Sequence, residues 1–381
     1  MRWKVPISGI GTSTPILHND RIYLTSAVAT DRKAPVTGVK TAQGEAPTNI
    51  HEFQVMAYAR ATGKLIWRKV VHEGVPHERA HRTGSYASAS VVVDDKRIHA
   101  FFGSNGLFCL DHDGNELWSQ QLGRQRTLFG FGEGATPALA NGTLVVQWDH
   151  EGQSFVIAFA ARTGKERWRR DRNCSTSWSS PLITFVDGKH QVILVATKVT
   201  RAYDLASGDE VWQCGGMTSN PIAGAVEANG IIYVGNSYKG KVIQAIRLAG
   251  AKGDITDKDN LLWSYSKSAT YVPMPVITRG LLYSLRNGKG VLTCLDTKTG
   301  VPVYAGQRLR LKDLHASPIV ANGRIYFCSR AGKTAVVKAG RDFEILATNK
   351  LDDVFDASPV AVGTDLFLRG RQHLYCLSAE K

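Results

Sequence analysis

A phrase repeats along this chain, and the repeat limits the fold more than any other feature. It opens with small polar residues before a proline, runs through a short apolar strand and a turn, and enters a second apolar strand. Clear copies are "ATPALANGTLVVQW" (135–148), "SSPLITFVDGKHQVILVA" (179–196), "ASPIVANGRIYFCS" (316–329) and "ASPVAVGTDLFLRG" (357–370). Looser copies occupy 12–26, 219–235 and 273–285, and one at 88–103 lacks the proline. A second phrase follows the first, as in "ARATGKLIW", "LDHDGNELW", "AARTGKERW" and "DLASGDEVW". In each of these a glycine stands four residues ahead of a tryptophan: Gly63 and Trp67, Gly114 and Trp118, Gly164 and Trp168, Gly208 and Trp212. "LDTKTGVPVY" puts Tyr304 in the tryptophan place, and "DNLLW" keeps Trp263 without the glycine.

The anchor prolines Pro137, Pro181, Pro221, Pro275, Pro318 and Pro359 lie 44, 40, 54, 43 and 41 residues apart. Short runs rich in Val and Ile, separated by Gly, Asn and Asp turns, read as antiparallel strands. Four strands in a unit of about 40–50 residues is the blade of a β-propeller. Eight units fill the chain, which predicts an all-β, eight-bladed propeller with residues 1–381 as a single domain. The last unit stops after "RQHLYCLS", without its glycine-tryptophan strand, while "MRWKVPI" carries Trp3 ahead of the first anchor. The N-terminal strand is therefore expected to complete the eighth blade and remove the open sheet edges.

The tryptophans Trp3, Trp67, Trp118, Trp168, Trp212 and Trp263 then have a structural task. A glycine leaves bare backbone on which a neighbouring blade's indole can lie, burying roughly 150–250 Å² per ring. Aligning the units on this phrase puts Cys109, Cys294 and Cys376 in one column with Ala57, Ala158 and Ala202, a place that wants a small buried side chain. Of the six cysteines, Cys174 and Cys214 precede neighbouring blades, which leaves a disulfide between them open, and no C-x-x-C pair exists.

The formal net charge of +14 implies a basic surface that could attract phosphate, acidic glycans or anionic lipid. The positive residues are scattered, with Arg167, Arg169, Arg170 and Arg172 the one dense knot, so nucleic acid is not the expected partner. No apolar run approaches the ~20 residues of a membrane span. The stretch "MRWKVPISGIGTSTP" lacks the apolar core and cleavage site of an export signal, which reads as a cytoplasmic start or a start placed too far downstream.

"HEGVPHERAHRTG" (72–84) contains His77-Glu78-Arg79-Ala80-His81, the H-E-x-x-H of zinc peptidases. That chemistry needs a long helix, so that both histidines share a face, and a third ligand. Here the motif joins two predicted blades, with Pro76 and Gly84 bounding two turns at most, so a polar loop is expected instead. "DLHASP" holds Asp313, His315 and Ser317, but adjacent letters are not a catalytic triad, and Ser317 belongs to an anchor. "GFGEG" (130–134) and "NGKG" (287–290) lie between strands and open no helix, so neither is a phosphate cradle.

Loops entering the innermost strands of a propeller crowd the central channel, where pockets form. The candidate face is therefore His81, Tyr86, Phe129, Phe131, Glu133, Trp178, Asn220, Tyr271, Asp313, His315, Phe355 and Asp356. Aromatics mixed with histidine and acids suit a sugar, a peptide or a heteroaromatic ring. No pair has a spacing that demands catalysis.

"KVPISGIGTSTPI", "FFGSNGLFCLDHDGNELW", "TSWSSPL", "GVLTCLDTKTGVPVY" and "VVKAGRDFEILATN" resemble the repeats of the pyrroloquinoline-quinone-like (PQQ-like) β-propeller family, and the likeness covers essentially the whole chain. It is strongest to bacterial PQQ-binding-like and BamB-like propeller proteins. The resemblance implies a monomeric, non-enzymatic binding or scaffold propeller, periplasmic or secreted. A protein partner, or a small-molecule or glycan ligand, would sit on one face. The alternative is a PQQ-dependent quinoprotein dehydrogenase. Such enzymes hold calcium under the quinone and cover it with an adjacent Cys-Cys disulfide. No Cys-Cys pair exists here, and no carboxylate and amide set can be matched to calcium, so no cofactor or metal is expected.

Overall fold

The computed structural model describes residues 1–35, 38–286 and 289–379, so Asn287 and Gly288 of "NGKG" lie outside the described residues. The strands form eight antiparallel sheets, and the fold is an eight-bladed β-propeller. Two compact units are distinguished within it. Unit 1 comprises 1–167, 171–173 and 360–381, and unit 2 comprises 168–170 and 174–359.

Unit 1 contains four blades. Blade 1 is built from Ile16–His18, Arg21–Lys33, Asn49–Ala59 and Leu65–Gly74, and blade 2 from Val92–Val93, Ile98–Phe101, Leu107–Leu110 and Glu116–Gln120. Blade 3 takes Ala138–Ala140, Thr143–Trp148, Ser154–Ala160 and Glu166–Arg172. Blade 8 takes Val360–Val362, Asp365–Arg369 and His373–Ser378, and its fourth strand is Trp3–Pro6. Trp3 pairs with Cys376 and Lys4 with Tyr375, so the chain's first strand closes its last sheet.

Unit 2 contains the other four. Blade 4 is Leu182–Val186, Lys189–Ala196, Val199–Asp204 and Glu210–Gly215, and blade 5 is Val226–Ala228, Ile231–Asn236, Val242–Arg247 and Leu261–Tyr265. Blade 6 is Val276–Thr278, Leu281–Arg286, Val291–Asp296 and Pro302–Arg308, and blade 7 is Ile319–Ala321, Arg324–Cys328, Lys333–Lys338 and Ile345–Lys350. Blade 4 carries a fifth strand. Gly253–Asp254, from the insertion that stretches one repeat interval to 54 residues, pairs in parallel with Trp212 and Gln213. Blade 4's outer edge is thereby covered from within the chain.

The glycine-tryptophan phrase has a clear geometry. A Cβ added to Gly164 would stand 2.6 Å from Trp118 Cε3, and one on Gly208 would stand 2.5 Å from Trp168 Cδ2. Trp3 lies on Gly63, Trp67 on Gly114 and Trp263 on Gly300 in the same way. Each of these indoles also donates its N–H to a carbonyl of the turn it covers: Arg60, His112, Ala161, Leu205 and Thr297. Trp212 differs. It is fully buried beneath the parallel strand and donates to Gln191 Oε1 of its own blade at 3.0 Å, because the inserted segment replaces the glycine turn it would have met. The small-residue column faces the indoles directly: Ala57 is paired with Trp67, Cys109 with Trp118, Ala202 with Trp212 and Cys294 with Tyr304. All six cysteines are buried thiols, and Cys174 and Cys214 form no disulfide.

The anchor hydroxyls also have a partner that the repeat alone does not reveal. In unit 1 the Thr14 N–H donates to Ser90 Oγ at 2.9 Å and the Ser90 N–H to Thr136 Oγ1 at 3.0 Å. In unit 2 the Met274 N–H donates to Ser317 Oγ and the Ser317 N–H to Ser358 Oγ, both at 3.0 Å. Ser90, Thr136, Ser317 and Ser358 thus each satisfy a backbone donor of the preceding blade. The arginine knot is dispersed: Arg170 pairs with Asp209 at 3.1 Å, and Arg172 is buried against Asp149.

His99, in blade 2, is fully buried against Trp118, and neither ring nitrogen has a hydrogen-bond partner. Burial holds its pKa down, to about 4. The unfolded chain therefore binds a proton below the ordinary histidine range that the folded chain refuses. Stability from this site is present above about pH 6.5 and is lost as the pH falls toward about 4. We expect His99→Leu to raise unfolding free energy by about 1 kcal/mol at neutral pH. The gain should grow by about 2 kcal/mol at about pH 5. Urea titrations at the two pH values check it, and a pH-independent difference would show that His99 does not titrate this way.

Candidate functional site

A cleft in unit 1 brings His77, Glu78 and Glu133 together. It encloses about 460 Å³, its open mouth included, and its lining includes His77, Glu78, Tyr86, Phe101, Phe102 and Glu133. His77 and Glu78 of the H-E-x-x-H segment form part of one wall, on a bend with no helix across 77–81. His77 Nε2 donates to the Gln125 carbonyl at 2.6 Å. Glu78 is buried and accepts from the Thr127 N–H at 3.1 Å and from Thr127 Oγ1 at 2.7 Å. Glu133 accepts from the Ser104 N–H at 2.6 Å and from the Ser104 hydroxyl. His77 Nε2 stands 3.9 Å from Glu133 Oε1 and 4.0 Å from Glu78 Oε1. Burial pushes the Glu133 carboxyl above the usual carboxylate range, while His77 draws it back.

His81 does not join this cluster. Its Nδ1 is 2.8 Å from Thr83 Oγ1, its ring meets Phe131 edge-on at 5.2 Å, and its N–H donates to the Phe131 carbonyl. The two histidines of the motif thus meet different parts of the 121–137 connection, and no helix across 77–81 aims them at one ion. Phe131 also meets Phe129, half-exposed and with a left-handed φ of 56°. Tyr86 lies edge-on to His51 at 5.0 Å.

In unit 2 the structure brings together three of the expected residues. Asp356 is held by Arg330 Nε, and His315 Nδ1 is 3.4 Å from the same carboxylate oxygen. The Asp313 carbonyl accepts from the Arg330 N–H, in a left-handed turn with φ of 54°. Ser317 Oγ accepts from the Met274 N–H at 3.0 Å, which commits this hydroxyl to the anchor of its own repeat. Tyr271 stacks on Tyr238 at 5.7 Å, away from this group. The backbone N–H of Trp178 donates to the Pro221 carbonyl, the Asn220 backbone N–H donates to Thr197 Oγ1, and Phe355 is buried. Sequence reasoning missed Ser104, Gln125, Thr127 and Arg330. Their roles come from loops of other strands, and no spacing signals them.

A family model described as outer membrane protein assembly factor BamB matches residues 51–305. The chain belongs to this family. A Burkholderia pseudomallei (strain K96243) protein of the same description is 24% identical over 324 residues, 80% of this chain and 74% of that protein. Among solved structures, BamB from Moraxella catarrhalis superposes with a TM-score of 0.62 at 13% identity, covering 92% of this chain and 98% of its own. The computationally designed protein Ika8 gives 0.63 at 12% identity, covering 97% and 98%. The quinohemoprotein alcohol dehydrogenase of Comamonas testosteroni gives 0.64 at 11% identity, covering 98% of this chain and 75% of its own. At these identities the structural likeness shows the fold alone, and one fold hosts an assembly factor, a designed protein and an enzyme.

The six cysteines are buried and none adjoins another in sequence, so no vicinal disulfide can form. Among the described residues, no three His, Cys, Asp or Glu side chains converge as ligands of an ion.

Proposed function

We propose that this protein is a non-enzymatic propeller that docks a protein partner, a scaffold in the manner of the assembly factors whose family it shares. A cell-envelope location goes with that reading. The observation that carries it, beside family membership, is what the acids and histidine of the cleft are doing. Glu78 secures Thr127, Glu133 secures Ser104 and His77 secures Gln125. Side chains committed to bracing loops make a fixed surface, as a docking face requires. The cleft's hydroxyls, Ser85 and Ser88, bond to each other at 3.2 Å, whereas nucleophilic catalysis pairs a hydroxyl with a base.

The test uses the purified full chain in two assays. Immobilised chain should capture one protein partner in near-stoichiometric amount from an envelope extract of its own cells. The chain mixed with PQQ and calcium should reduce no dye in the presence of alcohols or sugars. Quinone-dependent dye reduction at ordinary enzymatic rates would overturn the reading, as would failure to retain any partner.

A further inference from the structure

We infer that one end of blade 6 is a docking surface for an acidic polypeptide segment of a partner protein, an inference that rests on the scaffold reading above. Five cations gather there: Arg286, Lys289, Arg308, Arg310 and Lys312, all exposed. Strand register brings them together. Arg286 pairs with Val291, and Val291 pairs with Arg308, so the two arginines flank one residue across three adjacent strands. Two strand spacings put their backbones roughly 10 Å apart. The Leu309 N–H donates to the Gly290 carbonyl at 2.8 Å, which holds the Arg308–Lys312 segment beside Lys289.

These charges do nothing for the fold. Leu309, Leu311 and Leu314 of the same segment carry its packing, each at most 4% exposed within the blade 6–blade 7 core. Among the described residues none of the five cations enters an ion pair. The opposite end of blade 6 contrasts with this. There Asp296 pairs with Arg341 at 3.6 Å and accepts from the backbone N–H of Lys298 at 3.0 Å. The corresponding end of blade 5 repeats the pattern with exposed Lys241 and Lys267. Asp313, exposed beside Lys312, is the one acid adjacent to them in sequence, so the five like charges still repel one another, and an arriving anionic partner relieves that repulsion.

A carboxylate-bearing polypeptide fits better than the other polyanions. Three of the five are arginines, whose planar forks match carboxylates in pairs. A membrane surface would want apolar side chains beside the charge. The large exposed apolar residues of unit 2, Phe185, Val301 and Leu346, lie toward the opposite blade ends. Single-stranded nucleic acid would want open aromatic platforms. Tyr238 and Tyr271, on the neighbouring blade, are stacked on each other.

The experiment is fluorescence anisotropy of the full chain with a labelled peptide of about ten glutamates. The triple variant Arg308→Glu, Arg310→Glu, Lys312→Glu is compared with a charge-matched control, Lys64→Glu, Arg162→Glu, Lys165→Glu, whose exposed sites lie in blade turns of unit 1. Thermal melts establish that both are folded. The wild-type chain should bind the peptide and release it as salt is added. The blade 6 variant should bind at least roughly tenfold more weakly and the control less than about threefold. Equal losses would overturn the inference, since overall charge would then explain the binding. Tighter binding of oligothymidylate or of phosphatidylglycerol vesicles than of the peptide would overturn it too. The two readings fail separately. A captured protein partner that binds the blade 6 variant undiminished refutes this surface and leaves the scaffold. A peptide result as expected with no protein captured refutes the scaffold and leaves the surface.

Discussion

Replacing Asp149 with alanine should lower the unfolding free energy by about 3–5 kcal/mol, because it strands a buried cation. Arg172 Nε donates to Asp149 Oδ1 at 2.8 Å and its Nη2 to Oδ2 at 3.0 Å, with both side chains at 0% exposure. Gln147 Nε2 adds a third donor to the same carboxylate at 2.7 Å. Desolvating two ions is costly, and the mutual attraction roughly offsets that cost, so the pair contributes little net stability. Removing one partner leaves the cost without the attraction. The combined change Asp149→Leu with Arg172→Met should therefore recover most of the loss, since it removes both charges and keeps much of the volume. Equilibrium unfolding in urea reads both effects. A loss under about 1 kcal/mol for the alanine variant, or no recovery in the double variant, would show that water reaches the pair.

Trp118→Ala should be about as damaging, at about 3–5 kcal/mol. The indole covers Gly164 and donates its N–H to the Ala161 carbonyl at 3.1 Å, so the variant opens a cavity and leaves an acceptor without its donor. The same contact can be attacked from the other side. Gly164 has φ of +69°, a left-handed conformation that L side chains rarely adopt, and a Cβ there would strike the ring. Gly164→Val should cost several kcal/mol by strain and overlap together. The two substitutions address one contact, so their effects should not add: in Trp118→Ala the overlap is gone and only the backbone strain of the valine remains. Thermal melts of the two single variants and the double variant measure the coupling. Strict additivity would mean that the ring and the glycine act independently.

The blade architecture was legible in the letters because it is made of local, repeated events. Glycine four places ahead of tryptophan, a turn between two apolar runs and a small hydroxyl before proline each recur where the chain must do the same thing again. Trp3 could be assigned to the last blade from the C-terminal unit's missing strand alone, and it pairs with Cys376. Trp212 shows where that reasoning stops. It carries the same phrase as Trp168, but its cover is Gly253–Asp254, a strand with no repeat signature. The hydroxyls of Ser90 and Ser317 were visible as part of the phrase, while their partners, the N–H groups of Thr14 and Met274, were not.

The site was much less legible. His77 and Glu78 announced themselves through a motif whose chemistry they do not perform, and the residues that give them work, Gln125 and Thr127, lie 48 and 49 positions away. The charge pattern was re-sorted as well. The knot at 167–172 dissolves into the separate pairs Arg170–Asp209 and Arg172–Asp149. The unmatched cluster is instead assembled around Arg308, where strand pairing brings in Arg286 from an adjacent hairpin.

The sequence by itself determined how many blades there are, where each begins and which end of the chain closes the last sheet, since periodic burial and turn chemistry are written within a few residues of one another. Only the tertiary structure decided which polar groups are spent on bracing loops, which charges are buried in pairs and which are left facing water. Those outcomes depend on the lateral register of strands and on loops dozens of residues apart, and a repeat specifies its own interval without specifying what its polar side chains will meet.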